Sequence, residues 1–498
     1  MNVNPITRLD YPDPDVIRVE DTYYMVSTTM HFMPGCEILQ SFDLVHWEHA
    51  TYVYETLDHT DAQQLKSGQN IYGQGMWAAS LRYHEGRFYI CFVANDTRKT
   101  YLYTSEKIDG PWKKQLIEGF YHDCSLLFDE DGRNYIVYGN DEIWITELNE
   151  NLTAPKKDGL HRLLVSDHKN PELGYEGSHI QKINGYYYIF LIHSMRDWWM
   201  RTEACFYSDS LEGEFTGADV LCDDRGYCGQ GVAQGGIVDT PDGKWYAMLF
   251  QDSGAVGRIP ILVPVTWKDH FPVFGQNGHV PEEIEVHSTR PGYIYQPLVG
   301  SDDFCNGLLP RWQFNHDPDP RYYHLDALQG TYTITTREVC TELTQAVNTL
   351  TQRMSYPSCA AEVTVDASAL KEGDVAGLCA LQSCYAAVGI TKHHGKYEVL
   401  MLDKKEDGIL DMTEGTVAES HQMDFRLEAD FCNMKDEARC YYRVNKGDWL
   451  PIGTVHKLYF KLDHFTGCRF GLFCYAAEET GGSACFRDFK YYDVDEIS

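Results

Sequence analysis

Tyr175-Glu176-Gly177-Ser178 runs into His179-Ile180-Gln181-Lys182-Ile183, turns at Asn184-Gly185 and returns as Tyr186-Tyr187-Tyr188-Ile189. Asn-Gly suits the positive φ angles of a two-residue hairpin, and the β-branched and aromatic residues around it suit strands. The plan recurs along the chain. Val16-Ile17-Arg18-Val19 turns at Glu20-Asp21 into Tyr23-Tyr24-Met25-Val26, and Ser80-Leu81-Arg82-Tyr83 turns at Glu85-Gly86 into Phe88-Tyr89-Ile90-Cys91-Phe92. Leu126-Leu127-Phe128 pairs through Asp131-Gly132 with Tyr135-Ile136-Val137-Tyr138, and Gly236-Ile237-Val238 through Asp242-Gly243 with Trp245-Tyr246-Ala247-Met248. Three units carry a later echo: Ser41-Phe42-Asp43-Leu44 before Trp47, Ser105-Glu106-Lys107-Ile108 before Trp112, and Ser208-Asp209-Ser210-Leu211 before Phe215. A β-sandwich of five hairpins is the competing arrangement. The shared turn register and the shared echo favour radial repetition, so the expected architecture is all-β and opens with a five-bladed β-propeller.

Equivalent positions of successive blades point at one axis. Asp13 in Tyr11-Pro12-Asp13-Pro14-Asp15, Asp123 in His122-Asp123-Cys124-Ser125-Leu126 and Glu176 in Tyr175-Glu176-Gly177-Ser178-His179 each stand at the start of a unit. Singly they have ordinary readings: a strand-start residue, a turn cap and a solvated loop acid. Together at one register they predict a convergent acid/base site. Glycoside hydrolysis uses such a set, with one carboxyl protonating the leaving oxygen and a second activating water on the opposite face of the sugar. A third carboxylate raises the acid's pKa by like-charge repulsion.

The repeat ends near Gly292-Tyr293-Ile294-Tyr295-Gln296, and a different alternation begins at Ser301-Asp302-Asp303-Phe304. Strands are expected at Tyr332–Thr335, Ala361–Val365, Tyr397–Met401, Leu458–Leu462 and Phe470–Cys474, with turns at Asp407-Gly408 and Thr466-Gly467. The expected domains are therefore a propeller over 1–296 and a jelly-roll-like β-sandwich over 302–498.

A net charge of −32, from 42 basic and 74 acidic residues, argues against nucleic-acid and anionic-membrane partners, which need a basic footprint. The expected partner is an oligosaccharide, and the oligomeric state is left open, a homo-oligomer included. The opening Met1-Asn2-Val3-Asn4-Pro5 lacks the basic and apolar regions of an export signal, and no apolar run is long enough to span a bilayer. The sixteen cysteines show no paired metal-ligand spacing, so they are read as reduced thiols and the expected location is cytoplasmic. The neighbours Cys222 and Cys228 are not expected to pair, and the sequons at Asn95 and Asn151 are read as chance matches.

With these motifs in hand, the chain resembles glycoside hydrolase family 43, five-bladed propellers that invert at arabinofuranosides and xylosides. Tyr11-Pro12-Asp13-Pro14-Asp15 is similar to that family's Pro-Asp-Pro-Ser start, which carries the general base, with Asp15 replacing Ser. His122-Asp123-Cys124 resembles the segment of the pKa-modulating Asp, and Glu176-Gly177-Ser178-His179 that of the general acid, Glu-Gly-Pro-His. The resemblance implies catalytic roles for Asp13, Asp123 and Glu176. It also implies sugar contacts from Trp77, in Met76-Trp77-Ala78-Ala79, and from Arg258, in Gly257-Arg258-Ile259-Pro260. Blade core is the competing role for Trp77, and a surface ion pair for Arg258, although Gly257 and the apolar residues after Arg258 point to a constrained inner strand.

Trp198, beside Trp199 in a loop after the acid-bearing blade, is a candidate platform, with surface exposure as its alternative. Phe486 is a candidate lid residue from the sandwich, with core packing as its alternative. Many members place a His near an axial calcium; Gln234 of Gly231-Val232-Ala233-Gln234-Gly235-Gly236 stands there instead, so no metal ligand is assigned and no cofactor is required, with calcium left open. The same departure tilts the reading towards arabinofuranosides. The expected activity is exo hydrolysis of terminal α-L-arabinofuranosyl or β-D-xylosyl residues; the alternatives are an endo-arabinanase and a non-catalytic sugar-binding propeller.

Overall fold

The computed structural model describes residues 3–493 apart from 419, and leaves undescribed the side chains of 414, 416 and 418. The expected domain ends at 1–2 and 494–498 lie outside the described residues. Five antiparallel sheets follow one another along the first part of the chain. Blade one contains Asp15–Val19, Thr22–Ser27, Gly35–Ser41 and Glu48–Tyr54, and blade two Met76–His84, Arg87–Ala94, Lys99–Ser105 and Lys113–Ile117. Blade three contains Ser125–Phe128, Asn134–Asn140, Glu142–Leu148 and His161–Ser166, and blade four Glu176–Ile183, Tyr186–Ser194, Arg201–Ser208 and Thr216–Leu221. Blade five is led by Val232–Ala233 and Ile237–Asp239, which pair with Trp245–Asp252, followed by Arg258–Lys268 and Phe271–Phe274.

The hairpins form where the turns were read. Glu85 and Gly86 have φ of 48° and 79°, and Asn184 and Gly185 of 51° and 85°, the consecutive positive values that match the twist of paired strands. The outer echo is a side-chain turn. Ser41, Ser105 and Ser208 each accept a backbone N–H from two residues on, at 3.1, 3.2 and 3.3 Å. Trp47 and Trp112 then donate their indole N–H back to Leu44 and Ile108. The N-terminal segment closes the ring: Ile6 and Tyr11 donate to the carbonyls of Pro260 and Arg258, and the Asn4 side chain bridges both backbone groups of Leu262.

The second domain packs an eight-stranded sheet on a seven-stranded one, around a core that includes Phe314, Leu378, Phe425, Leu472 and Phe486. Phe32–Met33, between the second and third strands of blade one, is the edge strand of the larger sheet, pairing with Gln313–Asn315. The seam is further tied by the buried ion pair Arg353–Glu37 at 2.8 Å and by His464 stacked on Tyr72 at 3.9 Å. Four of the five strands expected in this domain are found. Leu458–Leu462 is not a strand: the preceding strand ends at Lys457. Leu458 is buried in the core while Leu462 is 75% exposed, so this apolar run leaves the sheet and leads to the loop that meets the propeller.

Candidate active site

The three carboxylates are placed by turns immediately before, or at the first residue of, three innermost strands. Asp13 and Asp123 hold φ of 53° and 47°, a left-handed conformation disfavoured for residues other than glycine and concentrated at functional sites. Asp13 is buried, accepts a hydrogen bond from the Thr28 hydroxyl at 2.6 Å and pairs with Arg258 Nη1 at 2.9 Å. Asp123 is buried and accepts the Gly177 N–H at 3.0 Å, so the modulator candidate is bonded to the residue that follows the acid candidate. Gly177 is required there, with φ of 65° and a would-be Cβ 2.7 Å from the Gln234 side chain. Glu176 is half-buried, and Asn140 Nδ2 donates to its Oε2 at 2.8 Å.

His122 stands between two of the acids. Its Nε2 lies 3.6 Å from Asp123 Oδ2 and 3.7 Å from Glu176 Oε2. The Asp123 charge, helped by Glu176 and opposed by burial, pushes the imidazole pKa up to about 9. Burial pushes the Asp123 carboxyl up to about 6, with repulsion from Glu176 and Asp13 adding to it and His122 pulling it down. A buried carboxyl beside two others is the environment a modulator needs.

Arg258 is 2% exposed, yet its Nε and Nη2 have no protein partner. Buried donors are ordinarily satisfied, so two guanidinium nitrogens beside Asp13 stand without the partners such groups usually have. The residue does not lie on an inner strand, as its flanking sequence suggested. It opens the third strand of blade five, and Gly257 before it, at φ 108°, leaves room for the Asp10 carboxylate where a Cβ would lie 2.3 Å away. Trp77 is half-buried, with its indole N–H unpartnered, and its ring lies 6.0 Å from His122.

Phe486 is not at the site. It is fully buried in the sandwich, on the strand Ser483–Asp493 and opposite Tyr332. Inward alternation on a central strand makes it core. The sandwich contributes Phe465 instead, whose ring lies 5.4 Å from Trp77 and 4.3 Å from the Arg258 guanidinium. Asp10 holds that loop down: Oδ1 accepts the Arg258 N–H and Oδ2 the Gly467 N–H, each at 2.7 Å. Trp198 and Trp199 are 53% and 46% exposed in the loop between the second and third strands of blade four. That loop leaves the blade at the end where Glu176 enters it, since Glu176 pairs with Ile192. Trp199 connects inward through the Arg201 guanidinium, which lies 5.5 Å from both Trp199 and Phe250; Arg258 lies 5.3 Å from the same Phe250 ring.

Sequence reasoning did not single out Thr28, Asn140, His122 or Phe465. His122 lay inside a quoted motif and carried its own signal, a titratable side chain adjoining a candidate acid. Phe465 had only a weak one, an aromatic ring in a turn.

The sequence profile of Glycosyl hydrolases family 43 matches residues 3–272, the part of the chain that carries all three carboxylates. The chain belongs to that family. It is a glycoside hydrolase, and the profile of the Beta xylosidase C-terminal Concanavalin A-like domain matches residues 301–492. A Beta-xylosidase of Formosa agariphila is 27% identical over 99% of this chain and 89% of its own length. The non-reducing end alpha-L-arabinofuranosidase BoGH43B of Bacteroides ovatus is 24% identical over 82% of this chain and 79% of its own. Among solved structures, the bifunctional GH43-CE protein of Bacteroides eggerthii superposes with a TM-score of 0.93 at 42% identity. That match covers 99% of this chain, which spans 64% of the Bacteroides eggerthii chain.

The axial calcium left open by the family resemblance does not fit the residues present. Calcium takes six to eight oxygen ligands. The Asp15 oxygens on the axis are already engaged by the Leu81 N–H, the Arg82 guanidinium and His179. Gln234 is buried beside Gly177, with its backbone N–H donated to Glu203. Hydrolysis by two carboxyls and a water requires no cofactor.

Proposed function

We propose that this glycosidase is exo-acting and inverting, releasing terminal α-L-arabinofuranosyl or β-D-xylosyl residues from hemicellulose-derived oligosaccharides such as arabinoxylan fragments and xylo-oligosaccharides. The observation that carries the reading is Arg258, paired with Asp13 through one nitrogen and left with two buried, unpartnered N–H directions under the Phe465 ring. Such donors suit the hydroxyls of a single sugar held beside the base. Phe465 and Trp77 supply apolar walls, and a sandwich loop seated there favours a closed pocket over the open groove of an endo-arabinanase. The names of the two curated relatives support both sugars. A non-catalytic sugar-binding propeller would need platforms and donors but not three converging acids.

In this reading Glu176 protonates the glycosidic oxygen as the bond to the anomeric carbon breaks. Asp13, held by Thr28 and Arg258, takes a proton from a water that attacks from the opposite face. Asp123 keeps the acid protonated and oriented. Glu176 is reprotonated from solvent and Asp13 returns its proton there. Trp198 is assigned to the leaving-group side. We further propose a cytoplasmic enzyme acting on imported oligosaccharides; all sixteen cysteines are free thiols, Cys222 and Cys228 included, which supports a reducing location.

A panel of nitrophenyl glycosides and natural oligosaccharides tests the activity. Turnover of the aryl α-L-arabinofuranoside or the β-D-xyloside is expected, and Glu176→Ala should lose far more activity on natural oligosaccharides than on activated aryl glycosides, which need less protonation. Equal losses on both would remove Glu176 from the acid role.

A further inference from the structure

Beneath each catalytic carboxylate lies a residue of a second, deeper cluster. Asp15 follows Asp13, Ser125 follows Asp123, and His179 follows Glu176 across a bulge. At this level the blades are stitched in order. Asp15 Oδ2 accepts the Leu81 N–H at 2.7 Å, Ser80 Oγ accepts the Leu126 N–H at 3.0 Å, and Ser125 Oγ accepts the Ile180 N–H at 3.0 Å. Asp15 is thus the counterpart of Ser80 and Ser125, and a serine there would satisfy the stitch. The carboxylate adds a charge at 1% exposure, a costly group to bury unless it is paired.

Arg82 answers that charge. Its Nη1 donates to Asp15 Oδ2 at 2.8 Å and to the Leu81 carbonyl at 2.6 Å. Its Nη2 donates to Ser125 Oγ at 2.6 Å and to the Ile180 carbonyl at 3.1 Å, and its Nε to the Leu126 carbonyl at 2.8 Å. All three nitrogens of the rigid fork are engaged, on four blades at once. On the other side of Asp15, His179 Nδ1 lies 3.2 Å from Oδ1, with Gly236 of blade five close to both. Beyond Arg82 the axis opens into a cavity lined by Arg18, Gln181 and Asp239.

We propose that Arg82, seated on Asp15, is the resident cation of the propeller axis and a positioning residue for hydrolysis, fixing the mutual placement of the strands that carry Asp13, Asp123 and Glu176. The proposal rests on the assignment of those carboxyls as the reacting groups. It accounts for the one acid that the opening motif holds beyond the base. It also gives the axis a permanent cation in the form of a side chain bonded across four blades.

The test is steady-state kinetics on Arg82→Met, Arg82→Lys and Asp15→Ser, each assayed well below its own melting temperature so that folded enzyme is compared with folded enzyme. Arg82→Met is expected to lose about 100-fold in kcat, the scale of an ångström-sized misplacement of reacting groups, with KM changed by no more than about threefold. Arg82→Lys, which keeps the charge but not the fork, should fall between Met and wild type. If Arg82→Met does not fold, Asp15→Ser carries the test, because it keeps the Leu81 stitch while removing the carboxylate that pairs with the guanidinium and meets His179; the same split is expected. Folded Arg82→Met or Asp15→Ser with wild-type kcat overturns the proposal. Asp13→Asn run alongside separates the two readings: an active Asp13→Asn sinks the carboxyl assignment itself, whereas an inactive one beside a fully active Arg82→Met sinks only the axial role.

Discussion

At the scale of single residues, the site works by pairing each acid with a different partner. Asp13 is held by Thr28 and Arg258, Asp123 by the Gly177 N–H, and Glu176 by Asn140. Arg258→Lys keeps a positive charge for Asp13 but cannot offer two further planar donors. It should leave the melting temperature near that of wild type while lowering kcat/KM by about 100-fold, the worth of two charge-assisted hydrogen bonds to hydroxyls. A variant with unchanged kcat/KM would remove Arg258 from the sugar. His122 makes a second prediction, on pH. Its folded pKa is raised to about 9, chiefly by Asp123, above the unfolded value near 6.5. The stability it contributes is fully present below about pH 6.5 and is lost as pH rises through about 9, with an amplitude on the order of 3 kcal/mol. Denaturant unfolding across that window should show the decline in wild type, and His122→Gln should flatten it. An unchanged slope in the variant would mean that the imidazolium is not held by its neighbours.

At the scale of elements, the hairpin turns, the Ser-led outer turns and the three acid-bearing strand starts were all legible, because each is a local pattern whose residue types follow from its backbone geometry. Arg258 was found through its motif but set on the wrong kind of strand, since Gly257 marks a constrained turn without saying which strand follows it. Phe486 and Phe465 show where local reading stops. Both are aromatic residues of the sandwich, and only the three-dimensional docking of the two domains decides which one reaches the propeller. Phe465 does so because Asp10 clamps its loop between Gly257 and Gly467, both of which lack the Cβ that would strike the carboxylate. Phe465→Ala should therefore raise KM for oligosaccharides by about tenfold, the loss expected for an aromatic wall, and change stability little because its ring is only half-buried. Phe486→Ala should instead destabilise the sandwich by about 3–5 kcal/mol, as for any fully buried Phe. Comparing KM and unfolding midpoints of the two variants checks the assignment, and a KM effect confined to Phe486→Ala would reverse it.

At the scale of the whole molecule, the propeller sets the three proposed reacting groups on separate blades, an arrangement suited to attack and departure on different sides of a sugar. Asp13 comes from blade one and Glu176 from blade four, while Asp123 of blade three contacts the residue next to the acid. The Asp13 carboxylate is fixed in orientation by Thr28 on one oxygen and the Arg258 guanidinium on the other, which in the proposed reading holds it towards an attacking water. With Asp13 in the proposed base role the reaction is a single displacement, in which the anomeric carbon must invert. Proton NMR within minutes of adding an aryl β-D-xyloside should show α-xylose first, before mutarotation mixes the anomers. With an aryl α-L-arabinofuranoside, the β-anomer should appear first. The same spectra with Asp13→Ala should show no product signal, since no other carboxylate is assigned to activate water. First release of the retained anomer would require a covalent glycosyl-enzyme, and Asp13 would then be a nucleophile and not a base.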